Sequence, residues 1–477
     1  MADRVFCIDL GSSFTKVALR SDPTADTRLL NPDRVSSLVG FCVPTVVAVE
    51  RRPNAKPILE FGARAADMTT SGDVTTFVNW KKSLFLRPKA DESNHSPLEA
   101  LLGSGEMLDL ATRFNVPAAQ VNYLRQMAAA ARGLFGGSGR PLSTESQEHK
   151  NATIIAAHFL RWLREQILEA CSRLTAVGLK YEDIPARIAV PAFSQGRGIE
   201  THPGCVALLN AMRTAGWPLH KEQPLVTEPY SNAVGVLTRG KNCVLRSGTI
   251  NLGAMFANGP LMTVLRDAAH HPTYRALIID IGAFTTDFSG VELNTEGKTI
   301  DDPNSAFVFS QHSVPLGVSD LDVIVAEALP TEKANWFRNA PAYDKEAFRR
   351  SLYTESKPFA TNTVGRIGVG VEGEAIRETV QSFSRQIAGT VAEFCDGRVP
   401  ASMQELILTG GGASIPHLRD ALQQAAATGG NTYVRTHAPA LKKTAGGPPV
   451  TKLDTEFYRG GSALGGASIY FESSFYA

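Results

Sequence analysis

Residues 4–9 form a short apolar run ending in an acid, followed by the small residues Gly11, Ser12 and Ser13 and a second strand-like run at 15–20. Apolar runs bounded by small turn residues predict a β-hairpin with a polar tip. The layout returns downstream as residues 276–280, 282–285 and 286–291. Asp9-Leu10-Gly11 and Asp280-Ile281-Gly282 superpose in register, which sets Thr15 on Thr286. Two copies of one unusual turn predict two homologous halves. Ile155, Phe159, Leu163, Ile167, Cys171 and Leu174 recur at three- or four-residue spacing, as do Ile376, Val380, Phe383, Ile387, Val391 and Phe394. Each series predicts a helix with one buried stripe. The ARIAV run at 186–190, which stops at Pro191, and the ELILT run at 405–409 read as buried strands. Helices alternating with strands predict an α/β fold. Segments 133–150 and 428–452, rich in small and turn-forming residues, read as loops, and 90–132 as a partly helical accessory insertion.

Composition narrows the function classes. With 477 residues the chain is long enough for two or three units, and 43% apolar with 20% charged residues supports a large core rather than disorder. Lys plus Arg number 48 against 47 for Asp plus Glu, and no basic block stands out, which argues against nucleic-acid binding. The six cysteines are scattered without a CxxC pair, as reduced buried thiols are, and point to a reducing cytoplasm. No apolar stretch approaches a membrane span, and the Met-Ala-Asp-Arg start leads directly into a strand, so membrane insertion is not expected. The histidines show no metal-ligand spacing, and His270-His271 reads as loop surface.

Three segments carry candidate chemistry. Gly11 allows close backbone approach to a ligand, while Ser12, Ser13 and Thr15 offer donors to phosphate oxygens and Asp9 can orient water on Mg²⁺. The same residues also suit an ordinary hairpin tip. The second copy, with Asp280, Gly282, Thr285 and Thr286, favours two facing hairpins gripping a polyphosphate. Gly410, Gly411 and Gly412, followed by Ser414 and Pro416, form a glycine turn between strand and helix, where a flat nucleoside can lie against bare backbone. A plain strand-to-helix turn has the same composition.

Taken in this order, the segments resemble the actin, hexokinase and heat-shock ATPase superfamily, and within it the seventy-kilodalton (DnaK-type) heat-shock chaperones. VFCIDLGSSFTKVAL, ARIAVPAF, the segment from Thr227 to Ala233, ALIIDIGAFTTD and LILTGGGASIP run in family order from residue 5 to about 467. The resemblance implies two ribonuclease-H-like lobes, 1–228 with an insertion around 90–150 and 229–477, closing on a nucleotide cleft. A closing helix at about 456–470 is expected to pack back on the first lobe. It also implies ATP and ADP as ligands, Mg²⁺ held through water by Asp9 and Asp280, and a Mg²⁺-dependent ATPase acting as a conformational switch on a protein partner. Lys81 falls where the family places a lysine beside the γ-phosphate, although its neighbour Lys82 leaves the register open and a solvated lysine pair has the same sequence. Glu228 matches the family's glutamate near the attacking water; it is equally suited to the first turn of a helix. Asp280 completes the catalytic set. Thr285 matches a γ-phosphate contact, and Glu355 and Lys357 fall loosely where the family contacts adenine, with Pro358 interrupting the helix.

The chain also departs from that pattern. Ala283 and Phe284 replace consecutive glycines, which predicts slow hydrolysis, and Ser414 stands where the chaperones commonly carry an adenine-stacking arginine. The 238–275 stretch is longer than usual. Residues 417–477 suffice to finish a second lobe, so no peptide-binding domain is expected. Competing readings are an actin-like filament or scaffold that self-associates, a nucleotide-binding pseudo-ATPase, and, with no acceptor motif to support it, a small-molecule kinase.

Overall fold

The computed structural model describes residues 4–21, 27–32, 40–53, 55–68, 71–85, 147–173, 180–193, 199–238, 243–246, 249–250, 273–294, 306–398, 405–427, 435–439 and 450–471. The accessory insertion at 90–132, Leu174, the His270-His271 pair and most of the two loop segments lie outside the described residues. The chain is a mixed α/β protein.

Two six-stranded sheets organise it. In the first, Val5–Leu10 pairs antiparallel with Phe14–Arg20 on one side and parallel with Ala186–Val190 on the other. Arg28–Leu29 extends one edge and Leu225–Thr227 the other, with the short Val43–Pro44 also on Phe14–Arg20. In the second sheet Thr273–Ile281 takes the place of Val5–Leu10. It lies antiparallel to Thr286–Asn294 and parallel to Glu405–Thr409, and the sheet runs on to Ala306–Val314 at one edge and to Arg435–Ala438 and Val450–Lys452 at the other. Leaving aside Val43–Pro44 in the first sheet and the outermost Val450–Lys452 in the second, both sheets run third, second, first, fourth, fifth strand from one edge. The duplication seen in the two turns therefore extends to strand order and direction.

Each sheet has its own apolar core. Helix Gln147–Ser172 buries Ile155, Phe159, Leu163, Ile167 and Cys171 against the first sheet, and helix Val371–Arg398 buries Ile376, Val380, Phe383, Ile387, Val391 and Phe394 against the second. Both stripes predicted from spacing are the buried faces. Leucine- or phenylalanine-sized side chains each contribute about 1.5–3 kcal/mol on burial, so each face adds several kcal/mol to a core that the strands and the other helices complete. Cys7, Cys42, Cys171 and Cys205 are buried and Cys395 is half-buried, none of them in a disulfide. Among the described residues no helix is long and apolar enough to cross a membrane.

Two helices join the sheets. Glu228–Thr238 follows the last strand of the first sheet, and its Asn232 Nδ2 donates to Thr409 Oγ1 of the second sheet at 2.7 Å. The closing helix, Thr455–Ser468, follows the last strand of the second sheet and packs back on the first, where Ala463, Leu464 and Ala467 meet Val5, Cys7, Ala18 and Val226. The two helices cross backbone to backbone: a Cβ on Gly465 would overlap the carbonyl oxygen of Ser231. A small antiparallel sheet, Val47–Arg52, Ala55–Phe61 and Val74–Phe77, leads into the short helix Lys81–Phe85.

Candidate functional site

The two hairpins end at corresponding positions. Leu10 pairs with Thr15 and Ile281 with Thr286 as the last rungs before each tip, which leaves Asp9 opposite Lys16 and Asp280 opposite Asp287 one rung back. Side chains alternate across a strand, so these four residues share the orientation opposite to that of the last rung. Asp9, Lys16, Asp280 and Asp287 all border one cavity of about 650 Å³. Thr15 and Thr286, expected at the phosphate, turn the other way. Thr15 Oγ1 shares a 2.8 Å hydrogen bond with Thr45 Oγ1, and Thr286 Oγ1 donates to Leu316 O at 2.7 Å. Neither residue borders the cavity.

The first hairpin contributes Gly11, Ser12 and Ser13 to the cavity wall, and the second contributes Gly282 and Thr285. Ser12 Oγ is buried without a hydrogen-bond partner among the described residues. An unmatched buried hydroxyl is costly unless a ligand or water completes it. Thr285 Oγ1 donates to Asp287 Oδ2 at 3.0 Å. Phe284, at the second tip, is buried in the core of the first sheet, 5.9 Å edge-to-face from Phe193 and 6.4 Å from Phe85. The bulky residue in the turn is an apolar anchor between the two halves.

Lys81 opens the short helix after the small sheet and is 2% exposed; its Nζ donates to Glu228 Oε1. Lys82 points elsewhere, donating to Asp320 Oδ1 at 2.8 Å. Of the two lysines, Lys81 therefore faces the cavity. Glu228 begins helix Glu228–Thr238, where a carboxylate also complements the helix dipole.

The glycine turn divides its residues. Gly410 has φ +79°, and a Cβ there would overlap Asp280 Oδ1 and Ile281 O, so only glycine fits between the turn and the acid. Gly411 and Ser414 border the cavity; Ser414 Oγ donates to Gly411 O at 2.8 Å. Gly412 does not, being buried against Ile281 and Val318. Glu355 and Lys357 also fall outside the cavity wall. Ser356 turns the chain out at φ +54° before Pro358, and the two side chains pair with each other at 3.1 Å. Glu346, Arg349 and Arg350 border the cavity in their place, with Tyr458 and Arg459 at the start of the closing helix. Arg459 Nη2 donates to Glu346 Oε1 at 3.3 Å.

Four carboxylates, those of Asp9, Glu228, Asp280 and Asp287, meet two lysines in this wall. Lys16 donates to Asp9 Oδ2 at 3.0 Å; burial opposes its charge, but Asp9, Cys42 and Asp280 outweigh burial and hold the ammonium above its usual value. Burial pushes the Asp280 carboxyl up to about 7, with Lys16 opposing and Asp9 and Glu228 adding to the rise. Burial likewise raises Glu228, against Lys81, and raises Asp287 well above the carboxylate range, with Glu228 and Asp280 adding to it. Glu346 and the guanidinium groups of Arg349, Arg350 and Arg459 also border the cavity, so its acids and bases are matched in number; the raised carboxyls of Asp280, Glu228 and Asp287 are the groups whose charged forms a bound cation would favour. Among the described residues no three His, Cys, Asp or Glu side chains are placed to ligate a metal directly.

Asp280 carries a pH prediction. Between about 4 and 7 the folded protein holds a proton on Asp280 that the unfolded chain has released, so this group's contribution to stability falls as pH rises through that window. Asp280→Asn removes it. The variant is expected to melt above the wild type at pH 7.5 without ligand, and the gain is expected to vanish near pH 4. Thermal melts across that range check the slope; equal melting at both pH values contradicts the assignment.

Neither a family model nor a curated protein matches the chain.

Proposed function

We propose that the chain is an ATP-binding and ATP-hydrolysing domain of the heat-shock chaperone type, two ribonuclease-H-like lobes around a nucleotide cleft, working as a conformational switch for a protein partner. One observation carries the reading: in two sheets of the same strand order, the aspartates at corresponding strand ends, Asp9 and Asp280, border one cavity together with a buried Lys81–Glu228 pair. An ordinary hairpin tip accounts for one such acid but not for two in register around a shared cavity.

The residues present fit a nucleotide with Mg²⁺. The unmatched Ser12 hydroxyl suits a phosphate oxygen, and the facing carboxyls of Asp9 and Asp280 suit a hydrated divalent ion, which keeps several waters and takes only one or two carboxylates. In this reading Asp9 and Asp280 hold that ion through water, and its charge neutralises the phosphates. Gly11, Ser12, Ser13, Gly282 and Thr285 orient the phosphate chain, while Gly410, Gly411 and Ser414 form the surface for the nucleoside. Lys81 supplies positive charge beside the transferred phosphoryl group, and Glu228, held by Lys81, orients the attacking water. Phosphoryl transfer depends mainly on such positioning and electrostatics. Phe284 restrains the second tip where the chaperones have glycines, which supports slow turnover. Buried thiols support a reducing cytoplasm as the working compartment.

Titration calorimetry with ATP and ADP, with and without Mg²⁺, together with phosphate release from the same sample, tests the reading. Mg²⁺-dependent binding and turnover are expected, both lost in Asp280→Asn. A folded sample that binds neither nucleotide overturns the proposal.

A further inference from the structure

A second cavity, of about 260 Å³, lies on the other side of the first hairpin tip. Ser12, Ser13 and Phe14 border both cavities, so the tip is the partition between them. The smaller one is mainly apolar: Phe14 and Val46 belong to the first half, Ala326 and Phe337 to helices of the second. Its lips are two valines that water does not favour, Val78 at 42% and Val323 at 58% exposure, one from each half. Ordinary core packing does not need exposed apolar side chains facing each other across an opening; an apolar ligand covers them.

The polar wall has a definite sign. Arg338, Lys345 and Arg349 stand there against one carboxylate, Asp322. Asp322 is already neutralised by the Arg349 guanidinium and accepts from Tyr353 Oη at 3.1 Å. Lys345 donates to Arg338 O at 2.8 Å and makes no ion pair with a carboxylate among the described residues. Burial and the neighbouring Arg349 lower its pKa, with Asp322 opposing in part, and an anion at this point relieves both effects. The site thus joins an apolar chamber to an ammonium that has no ion-pair partner among the described residues.

We propose that this cavity binds a small apolar carboxylate, its hydrocarbon part between Phe14, Val46 and Phe337 and its carboxylate on Lys345. The volume, filled to interior density, takes about ten to twelve non-hydrogen atoms. A carboxylate is favoured over a phosphate because a singly charged anion costs less to desolvate in this mainly apolar chamber than a more heavily hydrated phosphate. Lys345, Val46 and Phe337 border only the smaller cavity, while Ser12, Ser13, Phe14 and Arg349 are shared with the larger one.

The test uses the full chain without nucleotide, with 4-phenylbutyrate and octanoate as probes and neutral 4-phenylbutyramide as control. Calorimetry is expected to give saturable binding of at least one carboxylate with Kd of about 0.1–1 mM, and binding of the amide about tenfold weaker or more. Lys345→Met removes the charge, and Val323→Glu places a like charge on an exposed lip; each is expected to weaken the carboxylate about tenfold, with an unchanged melting temperature showing that the fold is intact. Asp280→Asn, in the larger cavity, is expected to bind the probe as the wild type does. The proposal is overturned if neither carboxylate saturates below about 5 mM, if the amide binds as well as the acid, or if both pocket variants bind like the wild type.

Discussion

Gly465→Val is expected to lose most of the folded protein. The Cβ it adds overlaps the Ser231 carbonyl oxygen and approaches the Gly235 amide, both in the backbone of helix Glu228–Thr238. A flexible side chain can rotate away from an intruding methyl group, but a helical carbonyl cannot, so the two helices must separate. Separation breaks the cluster in which Ala463, Leu464 and Ala467 cover Cys7, Ala18 and Val226. Overpacking a tight core typically costs about 1–3 kcal/mol, and more where backbone must move. A cost at or above the top of that range removes a large share of the roughly 5–15 kcal/mol that holds a domain folded. Gly389, in the long helix Val371–Arg398, provides the contrast, since a Cβ there meets nothing within 4 Å. Gly389→Ala is expected to raise stability by about 0.5–1 kcal/mol through helix propensity alone. Denaturant melts of the two variants check the pair. A Gly465→Val protein as stable as the wild type contradicts the helix crossing.

What the sequence revealed and what it hid follow from the range of the interactions involved. Strands such as Ala186–Val190 and Glu405–Thr409, and the stripes of the two long helices, were readable because periodicity is local. The repeat of the hairpin was readable as well, and the sheets extend it to strand order. Lys16 was missed although its signal was available: counting rungs back from the tip puts it opposite Asp9, on the same face. The same count turns Thr15 and Thr286 away from the cavity. Asp287 escaped for a like reason, as the residue opposite Asp280. Arg349 and Arg459 left no local signal, because helix packing across the second half and the closing helix brings them to the cavity. The placement of Phe284 was equally illegible: a turn residue in sequence, it is a core residue of the other half in space. Glu355 and Lys357 lie outside the cavity wall beside Ser356, whose positive φ is a conformation that sequence spacing does not report.

Lys81→Ala is expected to stop phosphate release while leaving nucleotide binding in place, a fall in turnover of about 10²–10³-fold, the scale for one preorganised charge at a phosphoryl or oxyanion centre. The stability consequence has its own sign. Lys81 and Glu228 are both buried, and removing one partner of a buried pair typically costs about 3–5 kcal/mol because the other charge is stranded. Here the cost is reduced by protonation: burial already raises Glu228, and loss of the lysine that opposes the rise lets it go further. The variant is therefore expected to be less stable than the wild type, and increasingly so as pH rises. Lys81→Met combined with Glu228→Gln removes both charges and is expected to recover stability without recovering turnover, which separates the chemical role from the structural one. Lys82→Ala completes the comparison. Its partner Asp320 lies outside the larger cavity's wall and its side chain is 42% exposed, so the change is expected to cost less than about 1 kcal/mol and to leave turnover intact. Normal phosphate release from Lys81→Ala contradicts its place beside the reacting phosphate. Loss of turnover in Lys82→Ala alone assigns the charge to the other lysine.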